Sequence, residues 1–114
     1  ENYHEIIANA DLAITSGGLS IFEFAAYGVP SIGLPQYEHQ LRTIENLRDA
    51  GISFLGSNGM AMSSERFTDS LNKMIHDFNC RNAMAMSARK TINGGGIDKI
   101  IKLLIEKFPE IFYA

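Results

Sequence analysis

The apolar positions of this chain change period along its length. Tyr3, Ile6, Ile7 and Ala10 recur at helical spacing, after which Ala-Asp-Leu-Ala-Ile-Thr at 10–15 has the length and composition of a strand. Two further short apolar runs follow, Gly-Val-Pro-Ser-Ile-Gly-Leu at 28–34 and Ala-Gly-Ile-Ser-Phe-Leu-Gly at 50–56. Gly28 stands where a preceding helix would stop, and Pro30 can take a strand's first position because no ladder bond needs its missing N–H there. The intervening segments, 19–27 and 38–50, are long enough for helices of about two to four turns. Strand, helix, strand, helix, strand predicts an α/β fold: a three-stranded parallel sheet with flanking crossover helices.

The second half reads as helical. Ser63 or Ser64 can cap a helix carrying Phe67, Leu71, Met74, Ile75 and Phe78, and a further helix is predicted over 80–91. Asn-Gly-Gly-Gly at 93–96 breaks it, and a last amphipathic helix over 97–107 runs through Ile97, Ile100, Ile101, Leu104 and Ile105. The five methionines, Met60, Met62, Met74, Met84 and Met86, are expected to fill gaps in the core. At 114 residues the chain suffices for one domain with a modest core. It starts with Glu1, inside a helical pattern, so it is expected to be a piece of a longer protein.

Charge and cysteine content narrow the classes. Ten basic and 13 acidic residues give a net charge of −3, without the basic excess that phosphate-backbone binding needs, and no nucleic-acid partner is expected. The lone Cys80 cannot form an internal disulfide, and no apolar run has the length of a membrane span or the layout of a signal peptide. A cytoplasmic location is the expectation.

Chemistry concentrates in Thr-Ser-Gly-Gly-Leu-Ser-Ile-Phe-Glu at 15–23. A turn from a strand's carboxyl end into a helix presents N–H groups without intrahelical partners, and open α/β sheets bind ligands there. Gly17 and Gly18 have no Cβ, so backbone can approach a diphosphate while the helix directs its positive end at the charge. Ser20, Glu23 and Tyr27 share one stripe of that helix, whereas Ile21, Phe22, Ala25 and Ala26 make an apolar face. Glu23, one turn inside, can accept hydrogen bonds from the vicinal hydroxyls of a ribose. The same residues also fit a ligand-free tight turn and a solvated glutamate favoured by the helix dipole, since Ser-Gly-Gly is neither a P-loop nor a dinucleotide fingerprint.

A resemblance adds to this. The stretch Ala-Asp-Leu-Ala-Ile-Thr-Ser-Gly-Gly-Leu-Ser-Ile-Phe-Glu-Phe-Ala-Ala-Tyr-Gly-Val-Pro, followed by His39-Gln40 and the closing Ala50-Gly51, resembles the C-terminal half of GT-B-type nucleotide-sugar proteins. Their shared pattern is an Ala-Asp strand, a Gly-rich turn, Glu in the following helix, Gly-x-Pro, then Gln and a final Ala-Gly. Within them, Ile-Asn-Gly-Gly-Gly-Ile-Asp-Lys-Ile-Ile at 92–101 and Ser-Phe-Leu-Gly at 53–56 are similar to the branch containing the UDP-sugar hydrolase of pseudaminic acid synthesis and spore-coat polysaccharide proteins. The peptidoglycan N-acetylglucosaminyltransferase is a more distant likeness.

The resemblance implies a UDP-sugar ligand, with Ser16, Gly17, Gly18 and Leu19 around the diphosphate, Glu23 on the ribose and Gln40 on the sugar. Many of these proteins have His before the glycines and Asp or Asn before the glutamine, where this chain has Ser16 and His39. His39 is the one candidate here for acid–base chemistry, although the resemblance places the hydrolase branch's general base in an N-terminal domain. No cofactor and no metal are expected, His76 and Cys80 being too few for a zinc site. Arg42 and Arg48 read as solvated helix charges, Arg42 being the one to watch for a phosphate contact.

The expected function is therefore the UDP-sugar-binding C-terminal part of a glycosyltransferase or UDP-sugar hydrolase of surface-glycan biosynthesis. The competing class is a non-catalytic nucleotide-binding or assembly module. On the first reading the partner is an N-terminal domain of the same protein, and this chain alone is inactive. The strand at 11–15 would then lack a neighbour, which favours homo-oligomers through the open sheet edge.

Overall fold

The computed structural model describes residues 3–92, 96, 103 and 105–107. Its elements are α1 (Tyr3–Ala8), β1 (Ala13–Thr15), α2 (Leu19–Ala26), β2 (Ser31–Gly33), α3 (Glu38–Asp49), β3 (Ser53–Leu55), α4 (Ser64–His76) and α5 (Phe78–Thr91). The strands form one parallel sheet in the order β1-β2-β3, with Ile14, Ile32 and Phe54 in register across it. The α/β alternation read from the sequence is what forms. Each strand is shorter than its apolar run, because the ladder beyond it continues as single bonds: Ala13 N–H to the Pro30 carbonyl, Leu34 N–H to Thr15 and Gly56 N–H to Gly33.

Glycine ends both crossover helices by the same device. Gly28 (φ 74°) and Gly51 (φ 78°) adopt the left-handed conformation, and the next N–H, of Val29 or Ile52, returns to the carbonyl of Phe24 or Leu47 at 2.8 Å. That motif satisfies terminal carbonyls and turns the chain straight into the next strand. Ser63 starts α4 by accepting from the Arg66 N–H, and Asp77 starts α5 by accepting from the Cys80 N–H. The Asp77 cap separates two helices at a point where the apolar spacing had placed Phe78 inside the first; Phe78 instead opens α5 and is exposed, with the Arg81 guanidinium over its ring.

The core lies on both faces of the sheet. Ile21, Ala25, Ile44, Leu47, Ile52, Leu55 and Ala88 pack together on one, and Ile32, Met74 and Met84 pack on the other with Leu12, Phe54, Phe67 and Leu71 beside them. α5 contributes to both. β2 is buried throughout, and its Ser31 hydroxyl donates to Ser53 Oγ on β3 at 2.9 Å, so both buried polar side chains are partnered.

Three sequence expectations change. Of the methionines, Met74 and Met84 are core, whereas Met60, Met62 and Met86 are exposed, because the 58–63 loop and the outer face of α5 lie on the surface. The buried stripe of α2 is Ile21 and Ala25, four residues apart; Phe22 and Ala26 stand one helical step further round and are exposed. In α1, Ile7 is buried but Tyr3 and Ile6 are not. The helix expected over 97–107 lies largely outside the described residues; 103 and 105–107 are helical.

Ile44 decides how closely α3 approaches the sheet. A Cβ at Gly33 would sit 2.6 Å from Ile44 Cδ1 and Cγ1, and one at Gly17 would sit 2.8 Å from Cδ1, so the isoleucine occupies the space both glycines leave. Gly33→Ala is expected to destabilise the fold by about 1–3 kcal/mol through overpacking. Chemical denaturation of Gly33→Ala, Ile44→Ala and the double variant checks this: the double variant should be more stable than the sum of the single losses implies, since alanine at 44 removes the Cγ1, Cγ2 and Cδ1 atoms that a Cβ at Gly33 would meet.

Candidate functional site

Gly17 and Gly18 lie where β1 ends and α2 begins. Gly17 is buried and has φ +92°, a conformation that favours glycine; Gly18 is the extended N-cap of α2 and makes no side-chain cap bond. The turn's own closing bond is long, from the Ile21 N–H to the Gly18 carbonyl at 3.3 Å. Among the described residues the N–H groups of Leu19 and Ser20 have no backbone partner, and they lie at the positive end of an eight-residue helix. Leu19 is 85% exposed and Ser16 half-buried, so the turn opens outward.

Glu23 follows one turn into α2, half-buried, with Oε1 accepting from the Tyr3 hydroxyl of α1 at 3.2 Å. Tyr27, one turn further, meets His4 Nδ1 through its hydroxyl at 3.1 Å. The stripe Ser20, Glu23 and Tyr27 thus faces away from Ile21 and Ala25, as the helical spacing predicted. The sequence placed Tyr3 only as an apolar position of a helix and left out His4, because nothing local links residues twenty or more positions apart.

Gln40 comes to the turn on α3. Its side chain shares the buried face with Ile44 and Leu47, and Oε1 accepts from the N–H groups of Gln36 (2.8 Å) and Tyr37 (3.3 Å), which holds the start of α3. A Cβ on Gly18 would lie 3.9 Å from Gln40 Nε2, so the amide's NH2 end is beside the turn while its oxygen is committed to the helix start. The structure thus brings together Gly17, Gly18 and Gln40, and sets Glu23 one turn along the same helix.

His39 is placed differently. It belongs to the first turn of α3, inside the helix expected over 38–50, points to solvent beside the inward Gln40, and stacks on Tyr37 with ring centroids 5.8 Å apart. Arg42 is exposed, and Arg48 pairs with the adjacent Asp49 at 3.3 Å. Among the described residues no group of three His, Cys, Asp or Glu could hold a metal ion, and no helix is long and apolar enough to cross a membrane.

A groove of about 430 Å³ lies elsewhere, between β3 and α4, lined by Arg48, Phe54, Arg66 and Asp69 among others. Arg66 spends its Nε–H on the Leu55 carbonyl at 3.2 Å, and Glu65 and Asp69 offset the two arginines. The glycine turn by contrast is an open shelf of backbone donors, flanked by one carboxylate and one amide.

The chain is similar in sequence to known proteins. The chain is 26% identical over 105 residues to the spore coat polysaccharide biosynthesis protein SpsG of Bacillus subtilis, an alignment covering 92% of this chain and 31% of that protein. It is 27% identical over 117 residues to an Oenococcus oeni protein, the UDP-N-acetylglucosamine--N-acetylmuramyl-(pentapeptide) pyrophosphoryl-undecaprenol N-acetylglucosamine transferase, covering 96% of this chain and 31% of that protein. The chain thus spans about a third of the length of these curated relatives. No solved structure gives a significant match. The family model for UDP-glucoronosyl and UDP-glucosyl transferases matches residues 10–91, a span that includes the glycine turn, Glu23 and Gln40. From the segment entering β1 to the end of α5, this chain belongs to the UDP-glucoronosyl and UDP-glucosyl transferase family.

Proposed function

We propose that this chain is the nucleotide-sugar-binding part of a glycan-biosynthesis enzyme, holding the diphosphate of UDP on the Gly17–Gly18 turn and the ribose on Glu23. The observation that carries the reading is the pairing of open first-turn donors on α2 with a carboxylate one turn along the same helix. Gly18 and the N–H groups of Leu19 and Ser20 can bind phosphate oxygens closely, and Glu23 Oε2 has no partner among the described residues. Gln40 Nε2, beside the turn, is available to a phosphate or sugar oxygen. Family membership and the two relatives, both named for glycan synthesis, support the class.

On this reading the chain's chemical contribution is to the leaving group. Negative charge grows on the diphosphate as the bond to the sugar breaks, and preorganised backbone donors stabilise it without reorganising. The attacking hydroxyl belongs to an acceptor or to water, and the base that deprotonates it would come from the partner domain of the whole protein, which would also close the open shelf against solvent. Transfer and hydrolysis differ only in that nucleophile, so both remain consistent with the residues here. A non-catalytic nucleotide-binding module is the second reading, favoured by the exposure of His39, the residue the sequence offered for acid–base chemistry.

Titrating the full chain with UDP checks the site: amide resonances of residues 16–23 should shift at millimolar nucleotide, and Glu23→Ala should weaken binding by about tenfold, as loss of hydrogen bonds to a charged group does. Shifts confined to residues outside 16–23 and 40 would refute the placement. In the whole protein, His39→Ala should leave kcat within about threefold, because exposed His39 acts on nothing at the turn; a loss of about a hundredfold or more would make it the acid–base residue.

A further inference from the structure

We propose that Tyr3 is a positioning residue for Glu23: its hydroxyl fixes one carboxylate oxygen so that the other is presented to the ribose. The proposal rests on the reading of Glu23 as the ribose ligand. Tyr3 and Ile7 stand four residues apart, on one face of α1. Ile7, 2% exposed, anchors that face, and the His4–Tyr27 contact holds the helix to α2 at a second point. Tyr3 is thereby delivered to Glu23 Oε1 although its own ring is half exposed.

Stability does not account for the contact. A hydrogen bond between exposed or half-exposed groups adds little to folding, since water competes for both partners. Its effect lies in the freedom it removes. A glutamate on a helix surface samples several rotamers, and a diol that needs the carboxylate in one orientation must first freeze them. Donation from Tyr3 to Oε1 freezes them beforehand and leaves Oε2 with no partner among the described residues. Phenylalanine at position 3 would keep the ring but lose the donor.

The experiment measures dissociation constants of UDP and of 2′,3′-dideoxy-UDP for the full chain, its Tyr3→Phe and Glu23→Ala variants, and the double variant. Tyr3→Phe should weaken UDP about fivefold, leave 2′,3′-dideoxy-UDP unchanged, and add no further loss to Glu23→Ala. If Glu23→Ala weakens UDP but Tyr3→Phe does not, or tightens it, the positioning role is overturned while the ribose site stands. Equal weakening of both nucleotides by Tyr3→Phe would also overturn it, showing a merely structural contact. If Glu23→Ala itself leaves UDP binding intact, or the unaltered chain binds no UDP, both this inference and the reading beneath it fail.

Discussion

One side chain, Ile44, sets the geometry on which the rest depends. It fills the space above Gly33 in the buried central strand and beside Gly17 in the turn, so α3 can lie against both only because neither carries a Cβ. That close approach links the two halves of the site. Gln40 lies one turn before Ile44 on the same buried face, and packing the isoleucine onto the glycines brings its amide beside Gly18. Two glycines far apart in sequence thus serve one contact, and the contact aligns the donor turn with the amide.

α2 works on two sides at once. Its inward stripe, Ile21 and Ala25, belongs to the core with Ala88 of α5, small residues allowing the helices to pack closely. Its outward stripe carries Glu23 and Tyr27, each met by a side chain of α1. The helix is fixed from below by packing and from outside by polar contacts, while its N-terminal end stays uncapped by any side chain. With Gly18 at the N-cap, the helix forgoes only about a few tenths of a kcal/mol relative to a Ser or Asp cap. In return, the turn keeps donors that such a cap would have consumed.

The open side of the structure follows the same division. Ile14, in register with the buried Ile32, is 48% exposed on β1, and Leu19 projects from the first turn of α2. β1 is an edge of the sheet as described, and its exposed apolar side chain stands close in sequence to the donor turn.

The sequence by itself determined the alternation of strands and helices, the parallel sheet, the glycine stop at Gly28, a serine cap at Ser63 or Ser64, and the stripe that carries Glu23. These are local, read from a period, a left-handed turn residue or a cap within a few positions. It also determined the family, because the matched span includes the whole turn and the first crossover. Only the tertiary structure decided that Phe22 and Met86 face solvent, that His39 turns outward while Gln40 turns in, and that Tyr3 reaches Glu23. Each of these depends on which neighbour packs against a helix, and a helical period gives the spacing of a stripe but not its width or its partner. The Tyr3–Glu23 bond spans twenty residues of sequence, a distance over which only packing, here of Ile7 beneath α1, brings two side chains together.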